Sequence, residues 1–239
     1  MRARALICLT EEVSQTGSVR GHVIKTYRAR ARRYDITSNL YYLLGFRVRA
    51  SRRQAVQALQ LRPGDTVVEV GCGTGLNFAL LEKAVGPDGQ IVGVDLTDAM
   101  LAQARRRMQA RSWSNVGLVH ADVSEFEFPT GVTAILSTYA LSLMPECAEI
   151  IARGCESLAP GGRWVVLDLK LPENVPGWLR RAVLALVRPF AATEALVARR
   201  PWDTIRTAMQ SGLADLSWTE LFFGFVFLAA GTARDRAPG

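Results

Sequence analysis

The sequence predicts an α/β fold: a seven-stranded, mostly parallel sheet with an antiparallel closing strand and helices on both faces. Three observations carry this. From Thr66 onward, short β-rich runs alternate with helical runs, the pattern of a doubly wound parallel sheet. The turn clusters Gly86-Pro87-Asp88-Gly89 and Ala159-Pro160-Gly161-Gly162 fall where a helix has to stop and a strand begin. Two final apolar runs, broken by Gly224, suit an antiparallel pair that closes the sheet.

In chain order, strands are expected near Thr66–Val70, Ile91–Leu96, Gly117–Ala121, Thr133–Ser137 and Arg163–Leu169. Helices are expected at about Leu76–Val85, Asp98–Arg111 and Glu146–Leu158, and the closing pair at Leu216–Phe223 and Phe225–Ala230. Two segments fall outside this frame. Residues 1–64 form a basic helical segment ahead of the core at 65–239, and about 171–215 is an insertion within that core. In open α/β sheets ligands bind at the carboxyl ends of the strands, so both segments are candidate covers for that edge.

Composition narrows the function classes. A chain of 239 residues that is 49% hydrophobic can bury a sizeable core. Its four cysteines, Cys8, Cys72, Cys147 and Cys155, contain no Cys-x-x-Cys pair. With two histidines beside them no zinc set assembles at ligand spacing, so no metal is expected, and a reducing cytosol fits. The apolar stretch at residues 5–9 is too short for a signal peptide. The 11 residues of Leu221 to Gly231 fall short of the roughly 20 that span a bilayer. The net charge of +7 is unevenly placed: residues 13–64 carry eleven basic side chains against the single acid Asp35, a net of +10 that leaves −3 for the rest. Such a segment suits a polyanionic partner, whether anionic lipid, nucleic acid or an acidic substrate.

The chemistry centres on Val67-Val68-Glu69-Val70-Gly71-Cys72-Gly73-Thr74-Gly75-Leu76-Asn77-Phe78, a strand running through a glycine turn into a helix. Such glycines let the backbone approach a ligand and present amide N–H groups at a positive helix end. A dinucleotide fingerprint needs glycine where Leu76 stands, so the spacing favours a nucleoside without a pyrophosphate. Asp95 closes the second strand, 24 residues after Gly71, where a carboxylate accepts both ribose hydroxyls. Asp122, after the third strand, is placed to accept from an adenine amino group. Glu69 precedes the turn and can orient a cationic ligand end directly or through water. Leu96, Thr97 and Met100 are placed to flank the adenine.

Glu69-Val70-Gly71-Cys72-Gly73-Thr74-Gly75, Asp95-Leu96-Thr97, Ala121-Asp122 and Leu158-Ala159-Pro160-Gly161-Gly162-Arg163 together resemble the class I S-adenosylmethionine-dependent methyltransferases over about residues 60–170. The resemblance implies a Rossmann-like sheet and S-adenosyl-L-methionine as cofactor. Its cofactor set is Glu69, Gly71, Cys72, Gly73, Thr74, Gly75, Asn77, Asp95, Leu96, Thr97, Met100, Asp122, Val123 and Ser137. Upstream, Tyr34-Asp35-Ile36-Thr37 and Tyr41-Tyr42-Leu43-Leu44-Gly45 resemble methyltransferases of lipid amine headgroups, including those of betaine-lipid synthesis. The Tyr-Asp opening is also similar to that of quinone C-methyltransferases.

The resemblance implies in-line transfer of a sulfonium methyl, for which the protein aligns the nucleophile, excludes water and removes a proton where needed. Aromatic faces also hold cationic headgroups, which makes Tyr27, Tyr34, Tyr41, Tyr42 and Tyr139 the acceptor-pocket candidates, with Tyr34 and Tyr139 placed to position the acceptor. His120 is a candidate proton acceptor or a structural histidine satisfied by one hydrogen bond. Cys72 lies inside the cofactor turn with no base beside it in sequence and reads as packing. Asn77 either contacts the cofactor's carboxylate or solvates the helix start.

The expected function is methylation of a membrane-associated small molecule, an amino lipid headgroup first and a quinone or other prenylated ring second, by a cytoplasmic protein working at an anionic membrane surface. The run from Trp178 to Phe190 suits a helix lying in a membrane interface or a packed lid helix. RNA is disfavoured as the acceptor, because Ser137-Thr138-Tyr139-Ala140-Leu141 stands where base amino-methylating enzymes carry an Asn/Asp-Pro-Pro-Tyr turn. A non-catalytic, cofactor-binding membrane-surface protein is the reading from another class. The oligomeric state is not legible.

Overall fold

The computed structural model describes residues 21, 24–29, 31, 48–172, 175–187 and 194–234. Tyr34, Tyr41 and Tyr42 lie outside the described residues. The described elements run α1 (Val48–Ala58), β1 (Thr66–Val70), α2 (Phe78–Val85), β2 (Gln90–Asp95), α3 (Asp98–Arg111), β3 (Val116–His120), β4 (Val132–Thr138), α4 (Cys147–Ser157), β5 (Leu158–Leu169), α5 (Gly177–Val187), α6 (Glu194–Ala198), α7 (Pro201–Gly212), β6 (Leu213–Leu221) and β7 (Val226–Ala233). The strands form one sheet in the order β3-β2-β1-β4-β5-β7-β6. The pairs from β3 to β5 are parallel, and β7 runs antiparallel between β5 and β6.

Strand periodicity sorts the core into two halves. Val68, Val70, Ile135, Trp164 and Val166 point to the face covered by α4 and α7. Their neighbours Val67, Ala134, Leu136, Val165 and Leu167 point to the face covered by α1, α2 and α3. Both faces being covered, the central strands read as continuous apolar runs rather than alternating ones. At roughly 25 cal/mol per Å² of apolar area, side chains such as Trp164 and Phe78, both fully buried, dominate the stabilisation.

The strands fall close to where the sequence places them, with the closing pair shifted to Leu213–Leu221 and Val226–Ala233, and two further boundaries differ for physical reasons. Helix α2 starts at Phe78 rather than Leu76, because Gly71, Gly73 and Gly75 all take positive φ and hold the chain in turns up to Asn77. Strand β5 starts at Leu158 rather than Arg163, since the Pro-Gly-Gly stretch stays in the sheet through an irregular register opposite Val132. Within 171–215, α7 buries Trp202, Ile205 and Met209 and packs against α4. Helix α7 thus lies in the helical layer on that face of the sheet.

The carboxyl ends of β1, β4 and β5 share one edge. The register carries this edge onward: Leu169 pairs with Val226, and Leu221 pairs with the same residue. The β6–β7 hairpin tip therefore also lies at the carboxyl edge.

Candidate cofactor site

A cavity of about 100 Å³ opens at that edge. The glycine turn forms its floor, with Gly71, Cys72, Gly73, Thr74 and Leu76 in the lining. Gly71 has φ +66, and a Cβ there would lie 2.4 Å from the Cβ of Ala140, so only glycine lets the turn pass under the β4 exit. The turn is braced from outside by Arg107, whose Nε donates to the Thr74 carbonyl at 3.0 Å.

Asp95 ends β2 beside the turn. Its Oδ2 accepts from the Gly73 amide and its Oδ1 from the Thr97 amide, both at 2.8 Å. Burial raises its carboxyl above the ordinary range, opposed by those two amides. Each carboxylate oxygen has two acceptor sites, so Asp95 retains capacity for ligand hydroxyls. Leu96, Thr97 and Met100 line the wall above it, and Asp122 and Val123 line the next stretch. Asp122 Oδ1 accepts from both the amide and the hydroxyl of Ser124, capping its own turn while it faces the cavity. The stretch 24–31 packs over this end, where Tyr27 and Ala31 are buried with Met100 and Leu143. Arg28 Nε reaches Asp98 Oδ1 at 3.0 Å, an exposed pair of little energetic weight.

Behind the turn lies a charged cluster that sequence reasoning caught only in part. Glu69 is 1% exposed, Arg52 7% and Asn77 0%, which puts two ionisable groups in the interior. Asn77 Nδ2 donates to Glu69 Oε1 at 2.6 Å and to Thr138 Oγ1 at 2.9 Å. Arg52 Nη1 donates to Asn77 Oδ1 at 3.2 Å and to Thr138 Oγ1. Within this cluster Arg52 Nε and Glu69 Oε2 have no partner among the described residues, and neither does Ser137 Oγ beside it. Leaving such atoms unpaired in the interior costs free energy unless a ligand completes them. Burial lifts the Glu69 carboxyl to about 7, against the lowering effect of the Asn77 hydrogen bond and the Arg52 charge. The guanidinium of Arg52 also lies 5.2 Å from the centroid of the Tyr139 ring.

Asn77 thus holds Glu69 and Arg52, and neither Asn77, Glu69 nor Gly75 is among the cavity-lining residues, so Glu69 stands behind Arg52 and Thr138, which are. Ser137 is wholly buried, one residue before Thr138, which does line the cavity. His120 is exposed, with Nε2 3.0 Å from the Leu96 carbonyl, and it too lies off the cavity lining. Burial raises the Cys72 thiol well above its usual value, so it stays protonated. The opposite wall comprises Tyr139, Ala140, Leu143, Met144, Pro145 and Glu146. Its loop is anchored by Asp168, buried at the end of β5, which accepts from the Ser142 amide and hydroxyl at 2.9 and 2.8 Å. Arg52, Thr138 and Asp168 were absent from the sequence-derived set. For Arg52 a signal existed: with Ala55, Val56 and Leu59 it follows the i, i+3, i+4, i+7 spacing of one buried helix face.

The orphaned Glu69 Oε2 and Arg52 Nε and the hydroxyl-ready Asp95 fit the ammonium, carboxylate and ribose of S-adenosylmethionine. Residues 67–162 match the family model described as methyltransferase domain. Over that stretch the chain is similar to the class I S-adenosylmethionine-dependent methyltransferases. Among relatives of this methyltransferase, it is 27% identical over 128 residues to the demethylmenaquinone methyltransferase of Listeria welshimeri, covering 53% of this chain and 54% of that protein. It is 29% identical over 154 residues to a ubiquinone/menaquinone biosynthesis C-methyltransferase of Pseudomonas putida, covering 64% and 59%. The chain thus spans a little over half the length of the curated relatives it matches. A SAM-dependent methyltransferase structure from Aquifex aeolicus shares the fold at a TM-score of 0.58 and 16% identity, covering 77% of this chain and 89% of that one.

Proposed function

We propose that this methyltransferase transfers a methyl group from S-adenosylmethionine to a ring carbon of a prenylated, membrane-associated acceptor of the quinone class. The observation that carries the acceptor is the cavity wall of Ala140, Leu143, Met144 and Pro145. It is apolar, facing the charged cofactor end, and suits a ring more than a small cation. The two curated relatives support the same choice, since their names state methylation of demethylmenaquinone and C-methylation in quinone biosynthesis. Of the tyrosines on which the amine-headgroup reading rests, Tyr27 and Tyr139 line the cavity, and Tyr34, Tyr41 and Tyr42 lie outside the described residues.

When bound, S-adenosylmethionine supplies an electrophilic methyl on a sulfonium. Glu69 Oε2 would take its ammonium and Arg52 its carboxylate, while Asp95 would accept from the ribose and Leu96, Met100 and Asp122 would hold the base. Tyr139 and the apolar wall orient the ring and exclude water, which is most of what an activated donor requires. For methylation at carbon, a ring hydroxyl would give its proton to Glu146, the wall carboxylate; the ring carbon would take the methyl as its bond to sulfur breaks, and the hydrogen on that carbon would then pass to the ring oxygen, restoring the ring.

The net +10 of residues 13–64 supports an anionic membrane surface as the place where such an acceptor is met. Each Lys or Arg near such a surface is worth about 1 kcal/mol. Among the described residues no helix is long and apolar enough to cross a membrane. Incubating the protein with methyl-labelled cofactor and separated lipid and RNA extracts tests the proposal. Label is expected in the neutral prenyl-lipid fraction. Label in RNA, or in aminophospholipid alone, would refute it.

A further inference from the structure

We infer that the β6–β7 hairpin tip, together with the start of α5, is the apolar foot by which the protein seats its carboxyl edge in a bilayer interface. This rests on the membrane-associated acceptor proposed above and adds the surface that docks. Phe223 is 100% exposed and Trp178 71%, the exposed large hydrophobic side chains among the described residues. Phe222 and Phe223 both take positive φ, 51° and 57°. The left-handed region is strained for bulky residues and suits Gly or Asn. Phe222 packs against the core, whereas the Phe223 side chain, held at this cost, lies wholly in solvent and adds nothing to it.

Position gives them a use. The tip sits at the carboxyl ends of the strands, because Lys170 N donates to the Phe225 carbonyl at 3.0 Å and Leu169 pairs with Val226. A Cβ on Gly224 would lie 3.3 Å from Pro172, so the tip rests against the chain leaving β5. Helix α5 begins five residues beyond Pro172, within a reach of roughly 18 Å. From β1, which leads into the glycine turn, to β7 is three strand steps along the same edge, roughly 14 Å. The hairpin tip and the cavity mouth therefore lie on the same edge of the sheet, with Trp178 within chain reach of the tip, and an acceptor held in lipid by a prenyl tail need not leave the interface to meet the wall of Ala140, Leu143 and Met144.

Charge and area select the occupant. Arg181 is exposed three residues after Trp178, and residues 13–64 net +10, which complements anionic headgroups. Trp and Phe beside arginine are the usual composition of an interfacial anchor. Two aromatic side chains offer at most roughly 400 Å², well under the roughly 800 Å² per partner of a stable protein interface. The bilayer is thus a better fit than a second copy of the chain.

The test is co-sedimentation of the full chain with vesicles of phosphatidylcholine and phosphatidylglycerol, at low and high salt, for wild type, Phe223→Asn and Trp178→Ser. Asn accepts a positive φ, so Phe223→Asn should melt at or above the wild-type temperature and bind S-adenosylhomocysteine unchanged. Its vesicle affinity should fall about tenfold at both salt concentrations, because burial of an apolar side chain is not screened. Vesicle binding equal to wild type in both variants overturns the foot while leaving the membrane-associated acceptor standing. Wild type remaining in the supernatant with anionic vesicles at low salt overturns both. A variant that turns a dimer into a monomer without changing vesicle binding assigns the tip to self-association and also overturns the proposal.

Discussion

Arg52 and Asn77, 25 residues apart, meet through a buried 3.2 Å hydrogen bond that ties the helix before the core to the end of the glycine turn. Arg52 brings positive charge to the place where Glu69 brings negative charge, and Asn77 and Thr138 sit between them as neutral spacers. The proposed function has this cluster receive the zwitterionic end of the cofactor. Arg52→Met should therefore lower cofactor affinity by about 1.5–3 kcal/mol, the worth of a hydrogen bond to a charged group. It should also lower the melting temperature, because Asn77 and Thr138 lose a buried partner. Arg52→Lys should fall between, keeping the charge without the fork. Calorimetric affinity unchanged in Arg52→Met would remove Arg52 from the site.

Glu69 gives the cofactor site a pH dependence. Its carboxyl titrates at about 7 in the folded protein against 4.5 normally, so below neutrality it is protonated and offers an ammonium no charge. Affinity for S-adenosylhomocysteine should rise with pH through about 7 and level off above, with a proton released on binding within that window. For stability the sign is opposite to that of a salt-bridged acid. Between about 4.5 and 7 the folded state holds a proton that the unfolded state has lost, so this group's contribution falls as pH rises across the window. Glu69→Gln should flatten both profiles. A wild-type affinity flat across this range would contradict the assignment.

Asp95→Ala should weaken cofactor binding by about 1.5–3 kcal/mol. Beyond the ribose contact it removes the acceptor for the Gly73 and Thr97 amides, so the turn itself loosens. Full affinity in Asp95→Ala, measured by titration calorimetry, would be inconsistent with this geometry.

Two glycines of the turn separate fold from ligand. A Cβ on Gly71 meets Ala140 at 2.4 Å, whereas one on Gly73 meets nothing within 4 Å. Gly71→Ala should destabilise the protein by about 1–3 kcal/mol through overpacking on top of its positive φ. Gly73→Ala should stay closer to wild type in melting temperature yet lose cofactor affinity, since its open space belongs to the cavity. Thermal melts with and without S-adenosylhomocysteine distinguish the two.

Tyr139 lines the cavity beside Arg52, and Tyr34 belongs to the upstream motif that resembles acceptor-binding segments. Either residue changed to Phe should lower turnover more than cofactor affinity. Full activity of both variants on the acceptor would leave the hydroxyls no chemical role.

The sheet and the glycine turn were legible because they are local. Alternating runs, turn residues and the distance from Gly71 to Asp95 all sit within one stretch of chain. What the sequence hid depends on pairing between distant residues. Arg52 looks like one more charge in a basic segment until α1 packs on β4 and β5 and buries it. Asp168 reads as a strand residue until Ser142 folds back over it. Asn77 has the right position for a ligand contact, and only the 2.6 Å bond to Glu69 shows that it orients another residue.

The central claim is that this site passes a methyl group to a prenylated ring carbon. It is tested most directly by supplying purified protein with carbon-13 methyl-labelled S-adenosylmethionine and two acceptors in one vesicle, a reduced prenylated quinone precursor and phosphatidylethanolamine. The carbon-13 chemical shift separates methyl on ring carbon from methyl on nitrogen. The expected result is label on the ring carbon of the prenyl lipid, reduced in Asp95→Ala at subsaturating cofactor and reduced in Glu146→Gln. Label on the headgroup nitrogen, with the ring unmodified, would contradict it.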